Sequence, residues 1–382
     1  MILRDPVHGL VSFESAGEEI VEALLECSEV QRLRRIRQLG LTSLAYPGAD
    51  HTRFSHAVGT AHVMTRFLER VRHIHTDLPA SQRLGSGNEL EALAAALLHD
   101  VGHGPFSHLF ESVVPDGPSH EDWSERIILD ESTEVNRVLT RFDSALPARV
   151  AALIHGRHDL TYLARAVSGT FDVDRCDYLL RDAHFTGVSY GRFDLDWLLR
   201  SLCLGPSSGD EAPALAIDGH KGLPAIESFL LARLFMFQQV YFHKASRASE
   251  WLMGKILTRA QALLARGDEL VGAPVALANL ARSNTTTLSS YLELDDASMW
   301  TALPAFRSSS DPILADLSAR LMARKLFKAY ELFGDDATPE GRTRCLERAR
   351  GLAESHGLDP DYYVGIDVPQ VAAFDDTDDS LT

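Results

Sequence analysis

Apolar side chains recur along most of this chain at three- and four-residue intervals, the period of an α-helix. Residues 17–39 carry Ile20, Val21, Leu24 and Leu25, then Val30, Leu33 and Ile36, which predicts one or two helices. The same period predicts a helix over 54–75. The string LEALAAALLHD makes 89–100 an apolar helix that stops at GHGP, where two glycines and a proline break it. Residues 80–88 between them are polar and contain glycine and serine, which predicts a loop. Shorter helices are expected at 119–130, 133–142, 147–155 and 174–183, a long one over 222–265, and further helices to about 356. Val11-Ser12-Phe13 and residues 214–217 are the candidates for a small β element. No internal repeat or low-complexity tract interrupts the pattern.

The fold expected from this pattern is mostly α, with a small β element and a helical C-terminal lobe. GPSSGDEAP at 205–213 is the clearest turn or linker. It divides the chain into a domain at 1–205 and a helical C-terminal portion at 206–368, followed by an acidic tail, 369–382, expected to be mobile. With 382 residues, 45% of them apolar, the chain can bury a sizeable core. Its net charge of −17 makes it a poor binder of nucleic-acid backbone or anionic membranes, so phosphate binding would need a local basic site or a metal. Cys27, Cys176, Cys203 and Cys345 are scattered with no CxxC pair, which reads as reduced thiols. The opening MILRDPVHGL lacks a signal-peptide pattern, and no apolar run is long enough to span a membrane. The expected location is cytoplasmic.

Most of the sixteen histidines fall between His51 and His158, but spacing says more than number. His99-Asp100 ends the apolar helix. Taken alone, such a pair also reads as a polar helix end, where the dipole favours His. Here it follows ALAAALL directly, and a buried Asp needs a partner or a metal. Adjacent helical side chains diverge by roughly 100°, so the two converge on one ion only where the helix ends. Imidazole and carboxylate together suit iron, manganese, zinc or nickel better than magnesium. Further ligands must come from other helices. His56 lies in RFSHAVG with Arg53 one turn earlier, and Asp174 lies in FDVDRCDYLLRD, a segment that otherwise reads as a solvated amphipathic helix.

Seven strings carry a family resemblance: DPVHG (5–9), QRLRRIRQLG (31–40), YPGADHTRFSHAVG (46–59), HDVGHGPFSHLFE (99–111), SHEDW (119–123), DVDRCDYLLRD (172–182) and VYFHK (240–244). In this order they resemble the HD-domain deoxynucleoside triphosphate triphosphohydrolases, which include the catalytic domain of the vertebrate sterile-alpha-motif/HD-domain dNTPase and bacterial relatives. The likeness covers about residues 5–245 and fades past 260; no sterile-alpha-motif domain is present. It implies an HD-domain helical fold and one metal site with ligands His56, His99, Asp100 and Asp174. It implies hydrolysis of a dNTP to deoxynucleoside and triphosphate, with magnesium also accompanying the substrate phosphates. His103, His108 and His120 match active-site histidines, and Glu111 and Glu121 match their acidic partners. The pairings expected are His120 with Glu111 and His103 with Glu121, with His108 favoured as the acid for the 5′ oxygen. Arg53, Arg175 and Arg233 match phosphate contacts; Arg175 replaces a lysine, exchanging a point charge for a planar fork. Gln38, Leu39, Tyr178, Asp182 and Tyr241 match positions around the deoxyribose, where Asp182 would accept from the 3′-hydroxyl.

Two other readings stay open. The first is hydrolysis of a different nucleotide, such as a dinucleoside polyphosphate, a nucleoside monophosphate or a cyclic nucleotide. Guanosine-tetraphosphate hydrolases carry an HD followed by an ED pair, whereas here the HD is followed by VGHG, and the GYP of cyclic-dinucleotide enzymes is absent. A diiron oxygenase would take extra ligands from His103, His108 and His120. The second is a nucleotide-sensing protein with a structural metal, against which the full set of histidines, carboxylates and arginines argues. The partners expected are a nucleotide substrate and identical subunits, as a dimer or tetramer. The resemblance also points to a nucleotide effector. Gln31, Arg34, Lys221, His243 and Lys244 match effector positions, whereas Glu26 stands where an Asp is usual and only four residues precede Asp5.

Overall fold

The computed structural model of the chain describes residues 1–15, 17–76, 78–113, 117–206, 213–283 and 286–368. Within these, the side chains of residues 108, 112–113, 205–206, 213–214 and 283 fall outside the description. The acidic tail and most of the 205–213 linker also lie outside the described residues.

The fold is mostly α-helical with two small two-stranded sheets. The chain opens with an antiparallel hairpin, β1 (Ile2–Asp5) and β2 (Gly9–Ser12). Its turn is made by DPVHG. Asp5 Oδ1 accepts from the Val7 and His8 N–H groups, 2.9 Å each, and Gly9 takes φ +78°, which a side chain would disfavour. The first predicted helical stretch resolves into α1 (Glu19–Leu25), α2 (Ser28–Arg32) and a 3-10 turn, Leu33–Arg35.

The central element is α3 (Arg53–Ile74), which packs against α4 (Ser86–Leu98) and, further along the chain, α10 (Val173–Thr186). Because α4 starts at Ser86, the predicted 80–88 loop is shorter than expected and holds a 3-10 turn at Ala80–Gln82. Every residue of α4 from Glu91 to Leu98 is buried, as its apolar sequence requires. Next come α5 (His108–Val113), α6 (His120–Leu129), α7 (Glu134–Phe142), α8 (Leu146–Ile154) and α9 (Thr161–Val167). Ser119 and Thr133 cap α6 and α7 by accepting from the third backbone N–H of each. After α10 and α11 (Leu195–Arg200), strands β3 (Leu202–Pro206) and β4 (Pro213–Ile217) pair antiparallel.

The expected helix over 222–265 is not continuous. It divides into α12 (Leu223–Met236), a π-helical turn at Phe237–Tyr241, and α13 (Lys244–Ala265), whose first turn is capped by His243. No proline or glycine marks the break. A π turn inserts an extra residue without losing the helical hydrogen bonding, so the apolar period runs on across it. The turn places Tyr241 against α10, with its hydroxyl 2.7 Å from Asp182 Oδ2.

The C-terminal lobe adds α14 (Val275–Ser283), α15 (Leu288–Leu292), α16 (Asp296–Arg307), α17 (Pro312–Met322), α18 (Pro339–Ser355) and α19 (Pro360–Tyr363). Among the described residues there are two buried apolar clusters. One draws on residues from Val11 to Val240. The other is built from α13, α14, α16 and α17, with Leu252, Ile256, Leu277, Leu303 and Leu314 at its centre. Leu41, Phe106, Phe110 and Trp123 reach into it from the N-terminal half, so the segment just after His99-Asp100 is packed by both halves of the chain.

Candidate metal centre

His56 sits on the buried face of α3, His99 caps the C-terminus of α4, and Asp174 is the second residue of α10. One ligand atom from each of the three falls within 4.8 Å of the others. His56 Nε2 is 2.9 Å from Asp174 Oδ1 and 3.3 Å from His99 Nε2. Asp100 lies at the edge of this group, its carboxylate 3.7 Å from His56 Nε2 and 3.5 Å from His99 Nε2.

The tautomers follow from the outer nitrogens. His99 Nδ1 donates to the Ala96 carbonyl at 2.9 Å, and His56 Nδ1 donates to Asp177 Oδ2 at 2.8 Å. Both Nε2 lone pairs therefore point into the same small volume as the Asp174 carboxylate. Such an all-acceptor cluster requires positive charge. Burial works against a charged His56, but Asp174 and Asp177 outweigh it and push the imidazole up to about 10. Ligand atoms around one ion, with bonds near 2.1 Å, stand roughly 3–3.4 Å apart, which matches these spacings. The donor set thus fits a borderline divalent cation held by nitrogen and carboxylate oxygen.

A buried ionic chain supports His56 from behind. Asp177 Oδ1 is 2.6 Å from His8 Nε2, and both Asp177 oxygens accept from Arg181. Arg181 also donates to Asp5 Oδ2 at 2.7 Å, tying the DPVHG turn to α10. Burial opposes the Asp177 carboxylate, yet Arg181, His56 and His8 hold it well below the usual range. Gly59 makes room for this. A Cβ there would fall 1.9 Å from Asp177 Oδ1. None of Asp5, His8, Asp177 or Arg181 was singled out from the sequence, although all lie inside the quoted strings. The only signal was the spacing of Asp177, three residues after Asp174 and four before Arg181 on one helix.

The histidines after the HD pair form a second layer. His103 and His120 stack at 4.0 Å, and with Asp100 they make another group of potential ligands. His103 Nε2 is 3.2 Å from Asp100 Oδ1, and His120 Nδ1 is 3.1 Å from the Glu111 carboxylate. Burial, with Arg53 nearby, pushes His103 well below its ordinary range, so its ring is neutral. Glu111 is also 3.7 Å from His103 Nδ1 and serves both rings. Glu121 does not face His103; it is largely exposed and 4.0 Å from His155 Nδ1. The side chain of His108, at the start of α5, lies outside the described residues.

Arg53 is buried, donating to Ser107 Oγ at 3.0 Å and pairing with Asp100. Burial opposes Asp100, but Arg53, His99 and His103 keep it ionised, well below the usual range. Arg175 pairs with Asp172, the cap of its own helix. Arg233 lies over the Phe237 ring at 5.8 Å. Tyr178 stands 6.5 Å from the His56 ring and 6.4 Å from Tyr241. Asp182 is engaged on both oxygens, by His51 Nε2 at 2.6 Å and by the Tyr241 hydroxyl at 2.7 Å. His51, not anticipated, stacks on Phe185, and its carbonyl accepts from the Gln38 N–H at 3.0 Å. Gln38 Oε1 is buried without a protein partner, and Leu39 beside it is half-buried against the first apolar cluster. No helix of the described residues is long and apolar enough to cross a membrane.

Comparison with known proteins agrees with this geometry. Residues 53–182, which hold the whole cluster, match the HD domain family. The protein YwfO of Bacillus subtilis is 36% identical over 96% of this chain and 79% of its own length. A crystal structure of a phosphohydrolase from Bacteroides thetaiotaomicron superposes with a TM-score of 0.78 at 30% identity, covering 95% of this chain and 85% of that one. The deoxynucleoside triphosphate triphosphohydrolase SAMHD1 homolog of Dictyostelium discoideum is 28% identical over 70% of this chain, which spans only 51% of that protein. The chain belongs to the HD-domain phosphohydrolases, as a metal-dependent enzyme related to the SAMHD1-like dNTPases.

Proposed function

We propose that the enzyme hydrolyses deoxynucleoside triphosphates to deoxynucleoside and inorganic triphosphate, with His56, His99, Asp100 and Asp174 holding one divalent ion. The observation that carries this reading is the wall beside the cluster. Pairwise contacts link His56 to Tyr178, Tyr178 to Tyr241, Tyr241 to Asp182, Asp182 to His51 and His51 to Gln38, whose Oε1 is buried and unpartnered. Two phenol rings with a carboxylate and an amide acceptor suit a sugar carrying one hydroxyl donor. An unsatisfied buried acceptor also calls for a ligand group or water. The name of the Dictyostelium relative supports the same substrate class.

Hydrolysis puts a water oxygen on the α-phosphorus, which stays in the triphosphate, and breaks its bond to the 5′ oxygen, which must gain a proton as the deoxynucleoside leaves. A divalent ion, when bound, supplies Lewis acidity toward phosphate and water. Iron, manganese, zinc and nickel fit the donors, and magnesium fits the phosphate tail. Arg53, Arg175 and Arg233 would offset the triphosphate charge. Glu111 orients the His120 ring for proton transfer, and His108 is the proposed acid for the 5′ oxygen. Residues 1–205 would carry the cluster and 206–368 complete the site through Arg233 and Tyr241. We extend the proposal to a cytoplasmic homo-oligomer, dimer or tetramer, that turns over one dNTP without added GTP. The rate on one purified dNTP with and without GTP, measured alongside light scattering, tests the turnover and the assembly; a monomer inert until GTP is added would overturn this part.

The substrate is tested by giving the manganese-loaded protein a panel of dNTPs, NTPs and diadenosine tetraphosphate, with products resolved by chromatography. The expected first products are deoxynucleoside and triphosphate. A dNDP plus phosphate, or faster turnover of the dinucleotide, would overturn the assignment.

A further inference from the structure

We propose that Asp296, in the C-terminal lobe, is a positioning residue for the turn that carries the active-site histidines. Residues 104–107 connect His103 to α5, which begins at His108, and their backbone is strained. Phe106 and Ser107 take φ +56° and +58°, two consecutive side-chain-bearing residues in the left-handed region. Such a conformation persists only where its surroundings impose it. The Phe106 N–H donates to Asp296 Oδ1 at 2.8 Å, and the Arg37 N–H donates to Asp296 Oδ2 at 3.0 Å. One carboxylate thus ties the strained turn to Arg37, which bridges to Thr52 and directly precedes Gln38. Ser107 closes the ring, donating to the Arg37 carbonyl at 3.3 Å and accepting from Arg53.

An Asp in the first turn of a helix is ordinarily explained by the helix itself. Here the neighbouring residue has that task. Asp295 caps α16 by accepting from the Ser298 N–H, whereas both Asp296 oxygens face another part of the chain. Asp296 is only 4% exposed, so these bonds are not shared with bulk water. The lobe holds the other end of the turn too. The Tyr291 hydroxyl donates to the Gly102 carbonyl at 2.7 Å, and Arg32 bridges the Leu294 and Val101 carbonyls. Residues 291–296 therefore clamp the backbone from Val101 to Phe106. The lobe acts on catalysis through main-chain placement, without supplying a group that touches the reacting atoms.

The test compares the full-length, metal-loaded protein with Asp296→Asn, which keeps the shape but turns one acceptor into a donor facing an N–H, and with Asp296→Ala. Asp311→Ala is the control, because Asp311 caps α17 and pairs with Arg259 in the same lobe, away from the turn. Hydrogen exchange at the Phe106 and Arg37 amides should rise at least tenfold in the Asp296 variants and stay unchanged in the control. With dATP, kcat should fall at least tenfold in the Asp296 variants, by more than KM changes and at unchanged metal content. The dATP arm rests on the proposed substrate; if the wild-type protein leaves dATP intact, that reading fails and the exchange comparison alone decides. Unchanged exchange at both amides, or an equal kcat loss in the control, would overturn the proposal.

Discussion

Two imidazoles whose lone pairs meet 3.3 Å apart beside a carboxylate repel one another unless a cation or added protons lie between them. Everything behind them is arranged to keep them there. Asp177 fixes the tautomer of His56 and is itself fixed by Arg181 and His8. Outer partners of this kind are typically worth about 10–100-fold in metal affinity. Asp177→Asn should therefore lower the affinity by that factor, read by titrating cobalt into the metal-free protein. Affinity within twofold of wild type would mean that the carboxylate only fills space. Gln38→Ala should lose about 1–3 kcal/mol of discrimination between deoxy and ribo substrates, the scale of a buried hydrogen bond. Equal kcat/KM for ATP and dATP in the wild type would remove that role. The HD pair could be picked out from sequence because the apolar helix before it is informative, whereas Asp174, in a segment that alone reads as a solvated helix, rested on the family resemblance. His8 and Asp177 could not, since 169 residues separate the two partners and neither stands out in its own string.

Among elements, α3 and α10 approach so closely that only glycine fits at position 59, where a Cβ would be 1.9 Å from Asp177 and 2.3 Å from Arg181. Gly59→Ala must displace a buried ion pair, and overpacking of this kind costs about 1–3 kcal/mol or more. A thermal midpoint unchanged from wild type would contradict the packing described. Glu91 on α4 pairs with Arg149 at 2.6 Å and His158 at 3.0 Å. Burial alone would raise its pKa, but His158 and Arg149 hold it below the ordinary value. A depressed carboxylate stabilises the fold above its unfolded pKa and loses that contribution as pH falls through the folded value. Glu91→Gln should thus be less stable than wild type at neutral pH by about 1–3 kcal/mol. The gap should close below about pH 4. Denaturation at several pH values measures it, and a gap that widens in acid would refute the assignment. Strongly periodic helices such as Arg53–Ile74 and His120–Leu129 lie within a residue or two of their predicted bounds. Thr161–Val167 and Leu195–Arg200, at seven and six residues, are too short to show a period. The π turn at Phe237–Tyr241 keeps the apolar spacing and so left no mark.

Across the whole molecule, the two apolar clusters meet at the segment that follows His99-Asp100. Phe106 and Phe110 belong to the second cluster, and α4, which leads into the pair, belongs to the first. That seam was not legible in the sequence. The family likeness fades past residue 260, and nothing in Tyr291 or Asp296 taken locally says that they face a turn some 190 residues earlier. The acidic balance of the chain was legible, and it concentrates the phosphate problem at one place. With a net charge of −17, a phosphorylated substrate has to be held by the local arginines and the metal centre. We propose that one divalent ion bound at His56, His99, Asp100 and Asp174 drives phosphate-ester hydrolysis. It is tested most directly by stripping the protein of metal and titrating manganese back while following dATP by 31P NMR. The expected result is no turnover in the stripped protein, activity that rises with occupancy to a plateau near one ion per chain, and triphosphate as the phosphorus product. Full activity in metal-free protein, or restored activity in Asp174→Ala without restored binding, would contradict it.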